Sequence, residues 1–282
     1  MKVIGEGVVN IGKCCSIDES VTILFKGSQS KVSIADYVSI GNDVKIIVEG
    51  GDVSIGEWST VHANSLLLCK EYLTIGQHCW FGQNSILDGT GGLHMEDGVR
   101  VGMYSQIWTH VAAGEQIEGC KLFSARPTRI CKDVWLVGSC TVGSGIEIGA
   151  RAICMNGSNI TKSIPSNATA MGSPAKVREG LSFYKNISLD EKFELMIEWA
   201  KNFITEKGGK LEIRDSVIAI SKENQELLVC KTKSEFEDNM LRSAECVLFC
   251  IETKKYTKKY SVLEEQFIRF LSGNKARFYS EI

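Results

Sequence analysis

Ile130, Leu136, Val142, Ile148, Cys154 and Ile160 recur at strict six-residue intervals. A period of six belongs to neither the 3.6-residue helix nor the two-residue strand. It suits an all-β solenoid, in which every sixth side chain points into one continuous core. The position four residues after each tooth is also restricted, to Val134, Cys140, Ile146, Ala152 and Ser158. In a triangular prism each such hexad supplies one flat strand and one corner. The aliphatic residue fills the interior, and the smaller one fits where the wall turns inward.

The comb extends upstream with slips of phase: Ile11, Ile17 and Ile23, then Ile34, Ile40 and Ile46, then Ile55, Val61, Leu67 and Leu73. Ile75, Phe81 and Leu87 follow, then Val101 and Ile107. Each slip marks a loop or irregular corner rather than the end of the solenoid. From Ile107 to Ile130 the gap is not a multiple of six, and Ala112 to Arg129 reads as a loop thrown out from the prism. Loops of that length are usually functional. Pro165 and Pro174, just past the last tooth, are expected to end the coil, because proline breaks ladder pairing.

These signals divide the chain into a solenoid domain, 1–180, and a C-terminal domain, 181–282. In the latter, Ser188-Leu189-Asp190-Glu191 is a capping-box pattern ahead of Phe193, Met196, Ile197, Ala200, Phe203 and Ile204 at helical spacing. Lys207-Gly208-Gly209 closes that helix. Strands at Val217–Ser221, Leu227–Lys231 and Cys246–Ile251 and a helix near Leu263–Leu271 complete a small α+β appendage. Lys254, Lys255, Lys258 and Lys259 read as a solvated basic loop.

Composition narrows the function. A net charge of −2 over 282 residues gives no reason to expect a nucleic-acid partner. No apolar run reaches the roughly 18 to 20 residues of a membrane span, and the start is not a signal peptide, so the cytoplasm is expected. There are 11 cysteines, an odd number, and no Cys-x-x-Cys. Cys140 and Cys154 hold interior positions, where a reduced thiol behaves as a small hydrophobe.

His62, His78, His94 and His110 are spaced by sixteen, which suggests a metal ladder. Sixteen is not a multiple of six, so they do not share a hexad position, and no His-x-x-x-x-His pair occurs; no metal is expected. His110 differs from the others. It stands at an outward corner of the hexad Ile107 to Ala112, directly before the loop. An imidazole changes charge near neutral pH and suits a general base, a role that contributes about 10²- to 10⁴-fold.

The run Val99 to His110, the outthrown loop, Asp133-Val134-Trp135-Leu136, Thr161-Lys162-Ser163-Ile164-Pro165 and Gly172-Ser173-Pro174-Ala175-Lys176-Val177 resemble the hexapeptide-repeat acyltransferases. The nearest pattern is that of sugar O-acetyltransferases such as galactoside and maltose acetyltransferases, over roughly residues 30 to 180. The resemblance implies a left-handed parallel β-helix, an exception to the right-handed crossover rule. It also implies a homotrimer, with acetyl-CoA in the groove between neighbouring prisms. A histidine at the start of this loop acts as the base in such enzymes, which maps to His110. Trp135 matches an aromatic near the thioester, and Gly138 a backbone donor with oxyanion-hole logic. Thr161 and Lys162 match contacts to the pantetheine arm and pyrophosphate; Lys176 and Arg178 are positioned for the 3′-phosphate. Asn84 and Asp88 match polar positions that bind the sugar, with corner-building as the alternative for each. Glu115 is the nearby carboxylate in sequence, and no partner for His110 is identifiable. Where the family has Ile-Gly-Ala-Gly-Ser, this chain has Cys154-Met155-Asn156-Gly157-Ser158. That change places Asn156 in the CoA groove and allows a donor other than acetyl-CoA.

The expectation is therefore a CoA-dependent O-acetyltransferase acting on a sugar or polysaccharide precursor by direct attack, without an acyl-enzyme. Transfer to the amine of an amino sugar or antibiotic is the alternative within the class. A non-catalytic solenoid scaffold is the alternative outside it.

Overall fold

The six teeth from Ile130 to Ile160 are all fully buried, and the computed structural model shows why six is the period. It describes residues 1–27, 29–242 and 246–280. Three parallel sheets form the faces of a prism, and the chain visits face 1, face 2 and face 3 in turn. Ile130 pairs with Ile148 on face 2, Leu136 with Cys154 on face 3, and Val142 with Ile160 on face 1. Three hexads thus make one coil. Val134, Cys140, Ala152 and Ser158 are almost fully buried at the corners, and Ile146 is nearly so.

Upstream the coils are longer. Ile34 pairs with Ile55, 21 residues on, and Ile55 with Ile75 after 20. The extra residues lie where face 1 meets face 2. Lys45–Val48 and Asp52–Ile55 each run four residues, with Ile46, Val48, Val53 and Ile55 buried. Leu66–Cys69 and Tyr72–Ile75 repeat this with Leu67, Cys69, Leu73 and Ile75. Strand alternation, period two, keeps each added apolar residue inward. This is the physical origin of the phase slips. In the first coil the comb position Ile11 is 45% exposed, because no coil lies beneath it.

Two sequence expectations are corrected. The segment between Ile107 and Ile130 is a hairpin, not an irregular loop: His110–Ala112 pairs antiparallel with Phe123–Ala125. A 3₁₀ turn at Gln116–Glu118 stands between them, and Thr128–Ile130 rejoins face 2. The coil also continues through Pro165, a corner residue, since Ile164 bridges to Ile148 and Thr169–Met171 joins face 3. It ends beyond Pro174, where Lys176–Val177 folds back antiparallel on Thr169–Met171.

The chain divides into two compact units, Met1–Tyr184 and Lys185–Ile282. In the second, α1 (Leu189–Lys207) has its capping box closed by Ser188 and Glu191, and Gly208 ends it. Among the described residues six strands lie in sequence order from Lys210–Arg214 to Tyr279–Ser280. α2 (Lys233–Arg242) and α3 (Val262–Leu271) connect the parallel neighbours. α2 and the short strands Lys210–Arg214, Lys255–Tyr256 and Tyr279–Ser280 carry no clear periodicity and were not legible from sequence. In the basic run, the Lys254 and Lys258 ammonium groups lie over the Phe278 and Tyr260 rings, 4.3 and 5.4 Å from their centroids.

Candidate active site

The face 1 strand Ile86–Gly89 carries Leu87 inward and Asp88 on the opposite side. Asp88 is nonetheless fully buried, because the next coil leaves face 1 as the hairpin and folds Thr109 and His110 over it. The Asp88 carboxylate accepts from Thr90 N at 3.1 Å, Thr90 Oγ1 at 2.5 Å, Thr109 N at 2.8 Å and His110 Nδ1 at 2.7 Å. Thr109, itself fully buried, receives Gly91 N on its Oγ1 at 2.8 Å. The Thr109 carbonyl receives Arg126 N at 2.9 Å and Ser144 Oγ at 2.8 Å. Burial works against ionisation of Asp88, but the hydrogen bonds from Thr90, Thr109 and His110 outweigh it and hold the carboxyl below its ordinary value.

An ionised carboxylate only accepts, so His110 Nδ1 carries a proton toward Asp88, and in the neutral imidazole the lone pair then falls on Nε2. The His110 side chain is 37% exposed, and the Trp108 ring stands edge-on at 6.1 Å. The corner thus holds an oriented, solvent-reachable imidazole. Burial does not fit Asp88 as an acceptor contact; it is the partner of His110. Glu115 is exposed in the hairpin turn and has no such role. The signal for Asp88 was the coil length: 22 residues separate it from His110, about one upstream coil.

The other predicted residues fall into two groups. Thr161 and Lys162 are exposed at the same corner as His110. Ile107 pairs with Val142 and Val142 with Ile160, so they lie two rungs away, roughly 10 Å. Trp135, 43% exposed, sits on face 3, and Gly138 and Asn156 share the corner from face 3 to face 1. A Cβ on Gly138 would stand 2.9 Å from Asn156 Oδ1. Asn84 occupies that corner too, at φ 58°, a conformation asparagine tolerates. Lys176 and Arg178 are exposed past the last coil. Face 1 separates the two corners by about five extended residues, roughly 16 Å. One chain therefore does not bring His110 against Gly138, Asn156 or Asn84.

The remaining histidines are dispersed. His62 lies edge-on to Trp80 at 5.1 Å, His78 is buried and stacked 6.3 Å from Trp58, and His94 is on face 2. Among the described residues no group of three or more His, Cys, Asp or Glu is gathered to hold a metal. Among the described residues no disulfide joins the cysteines, and burial pushes the Cys69 and Cys154 thiols up to about 12. No described helix is long and apolar enough to cross a membrane.

No family model matches the chain. It is 36% identical over 109 residues to "Nodulation protein L" of Rhizobium meliloti (strain 1021), covering 38% of this chain and 58% of that protein. It is 28% identical over 167 residues to "Putative colanic acid biosynthesis acetyltransferase WcaF" of Escherichia coli (strain K12), covering 59% of this chain and 66% of that one. The chain thus spans less than two thirds of the length of either relative. Among solved structures, the polySia-specific acetyltransferase NeuO superposes with a TM-score of 0.54 at 16% identity, over 72% of this chain and 98% of NeuO. The repeat and the fold define a left-handed β-helix of hexapeptide repeats. In sequence the chain is similar, over part of its length, to the two relatives, and in fold to the acetyltransferase NeuO.

Proposed function

We propose that the protein is a CoA-dependent O-acyltransferase that moves acetyl from acetyl-CoA to a hydroxyl of a sugar or polysaccharide precursor. The observation that carries this reading is the Asp88–His110 pair, 2.7 Å apart at the mouth of the hairpin. His110 Nε2 takes the proton of the acceptor hydroxyl as its oxygen bonds to the thioester carbonyl carbon. Asp88, kept ionised by its threonine donors, stabilises the imidazolium that forms. As the carbon–sulfur bond breaks, His110 returns the proton to the departing thiolate, leaving an acetyl ester and free CoA. A backbone donor at Gly138 would stabilise the oxyanion, with Trp135 near the thioester. Asn156 and Thr161 would line the pantetheine arm, while Lys162, Lys176 and Arg178 answer the phosphates.

The reading requires more than one copy. His110, Thr161 and Lys162 stand on one edge of face 1, and Asn84, Gly138 and Asn156 on the other. A homotrimer that sets one copy's His110 corner beside the next copy's Gly138 corner completes the constellation. Acetyl-CoA supply fits a cytoplasmic setting. A scaffold has no need of a buried carboxylate saturated with donors and aimed at an exposed imidazole. The test follows free thiol release from acetyl-CoA across a panel of sugars, nucleotide-sugars and amines, with sedimentation to read assembly. Thiol release with a sugar hydroxyl is expected. Release only with amines points to N-transfer, and no release with any acceptor overturns the proposal.

A further inference from the structure

A cavity of about 470 Å³ opens on face 2, bounded by Tyr72, His94, Thr128, Arg129, Glu147 and Ser163. We propose that it is the subsite for the acceptor's sugar ring and that it is built for an uncharged pyranose; this rests on the acyl-transfer reading above. Its volume is within the range of small-ligand sites.

Position is the first argument. Pro127 and Gly145 also line the cavity. Pro127 follows Arg126 and Gly145 follows Ser144, the two residues bonded to the Thr109 carbonyl. The cavity edge is therefore about two Cα steps, roughly 8 Å, from the residue preceding His110. It lies on the face 2 side of that corner, leaving the face 1 side to the donor.

The second argument is Tyr72. Its ring lies on Gly92, where a Cβ would stand 2.6 Å from both Cε1 and Cζ. Gly92, at φ +92°, both permits the turn and makes room for the ring. One side of the ring is thus seated on backbone, and the residue remains 39% exposed. An aromatic ring held this way offers its electron-rich face to the C–H face of a pyranose.

Charge decides the class of sugar. Arg129 is in register with His94 on one side and Glu147 on the other. Its Nε and Nη2 both donate to Glu96 Oε1, at 3.1 and 2.5 Å. The guanidinium charge is already answered by Glu96, and Glu147 adds a further carboxylate. Arg126, which does not line the cavity, packs behind Gly145 with Nη2 on the Ser144 carbonyl at 3.4 Å. Among the residues that line the cavity Arg129 is the one Lys or Arg, so the wall offers hydroxyls, a carboxylate and a guanidinium already matched by Glu96 rather than an unmatched cation for a sugar carboxylate.

Saturation-transfer NMR on the full chain without CoA tests this, using the methyl pyranosides of glucose, galactose and mannose and the methyl glycoside of N-acetylneuraminic acid. At least one neutral glycoside is expected to show transfer. That signal should fall about three- to tenfold in Tyr72→Ala and persist in Tyr72→Phe. The acidic glycoside should respond several-fold more weakly. Equal or stronger transfer to the acid, no transfer to any neutral glycoside, or no effect of Tyr72→Ala overturns the proposal. His110→Ala should keep the binding, so the two readings fail separately. Binding without turnover in the wild type counts against acyl transfer. Turnover whose KM ignores Tyr72→Ala counts against the pocket.

Discussion

Asp88 in the solenoid and Glu264 in the C-terminal unit are both fully buried carboxylates, yet they are held in opposite ways. Asp88 is surrounded by donors from Thr90, Thr109 and His110 and is kept below its ordinary pKa. Glu264, the N3 residue of the α3 capping box, takes Lys259 N at 2.9 Å and Ser261 N at 3.3 Å on Oε2. Its Oε1 has no partner among the described residues, and burial pushes its pKa up in spite of those backbone donors. Burial alone therefore does not set the charge of a carboxyl. The number of donors does, and only the fully supplied one faces a solvent-reachable imidazole.

The largest expected effect separates the two sites by chemistry. His110→Ala should lower kcat by about 10²- to 10⁴-fold with the assembly intact, read by thiol release and sedimentation. Wild-type turnover in that variant would remove the mechanism. Asp88→Asn comes next. It keeps the shape but loses the charge that orients His110, so kcat should fall about 10- to 100-fold with little change in KM. It should also cost about 1–3 kcal/mol in stability through unmatched hydrogen bonds, seen as faster hydrogen exchange across residues 86–110. Glu264→Gln should leave turnover unchanged and shift the stability of its unit by about 1 kcal/mol or less. A loss as large as that of Asp88→Asn would show that Glu264 is held as firmly as Asp88.

The smallest effect is in pH, and its sign differs between the sites. The folded-state pKa of Asp88 is depressed, so its contribution is fully present above its unfolded value near 3.8 and is lost as pH falls through the folded value. The folded-state pKa of Glu264 is raised, so its contribution is present below about 4.5 and is lost as pH rises through the folded value. Hydrogen exchange resolved by unit should show protection of the solenoid corner falling below pH 4. Protection around α3 should decline above pH 4.5, and that decline should vanish in Glu264→Gln. Parallel pH trends in the two units would contradict the contrast.

Much of the fold was legible in the chain. The six-residue comb determined the three-faced prism, because each buried tooth requires its neighbour in the next coil, as Ile130 requires Ile148. The break after Ile107 determined where the prism opens, and His110 follows from it. The capping boxes at Ser188 and Ser261 are local hydrogen bonds between residues three apart, and a local pattern was enough to fix the first. What lay beyond the sequence depends on which coil stacks on which. Asp88 meets His110 only because coils of 20 to 21 residues, rather than 18, bring the two onto one corner. Their length comes from period-two strand extensions that a six-residue template registers only as slips. Asn84 and Gly138 stand across face 1 from His110 because they precede a face 1 strand, whereas His110 follows one. The seat of Tyr72 on Gly92 likewise joins residues on adjacent rungs. Sequence determined the periodic interior, where one repeated contact decides each position. Tertiary structure decided the site, because its residues touch across coils whose lengths no single repeat specifies.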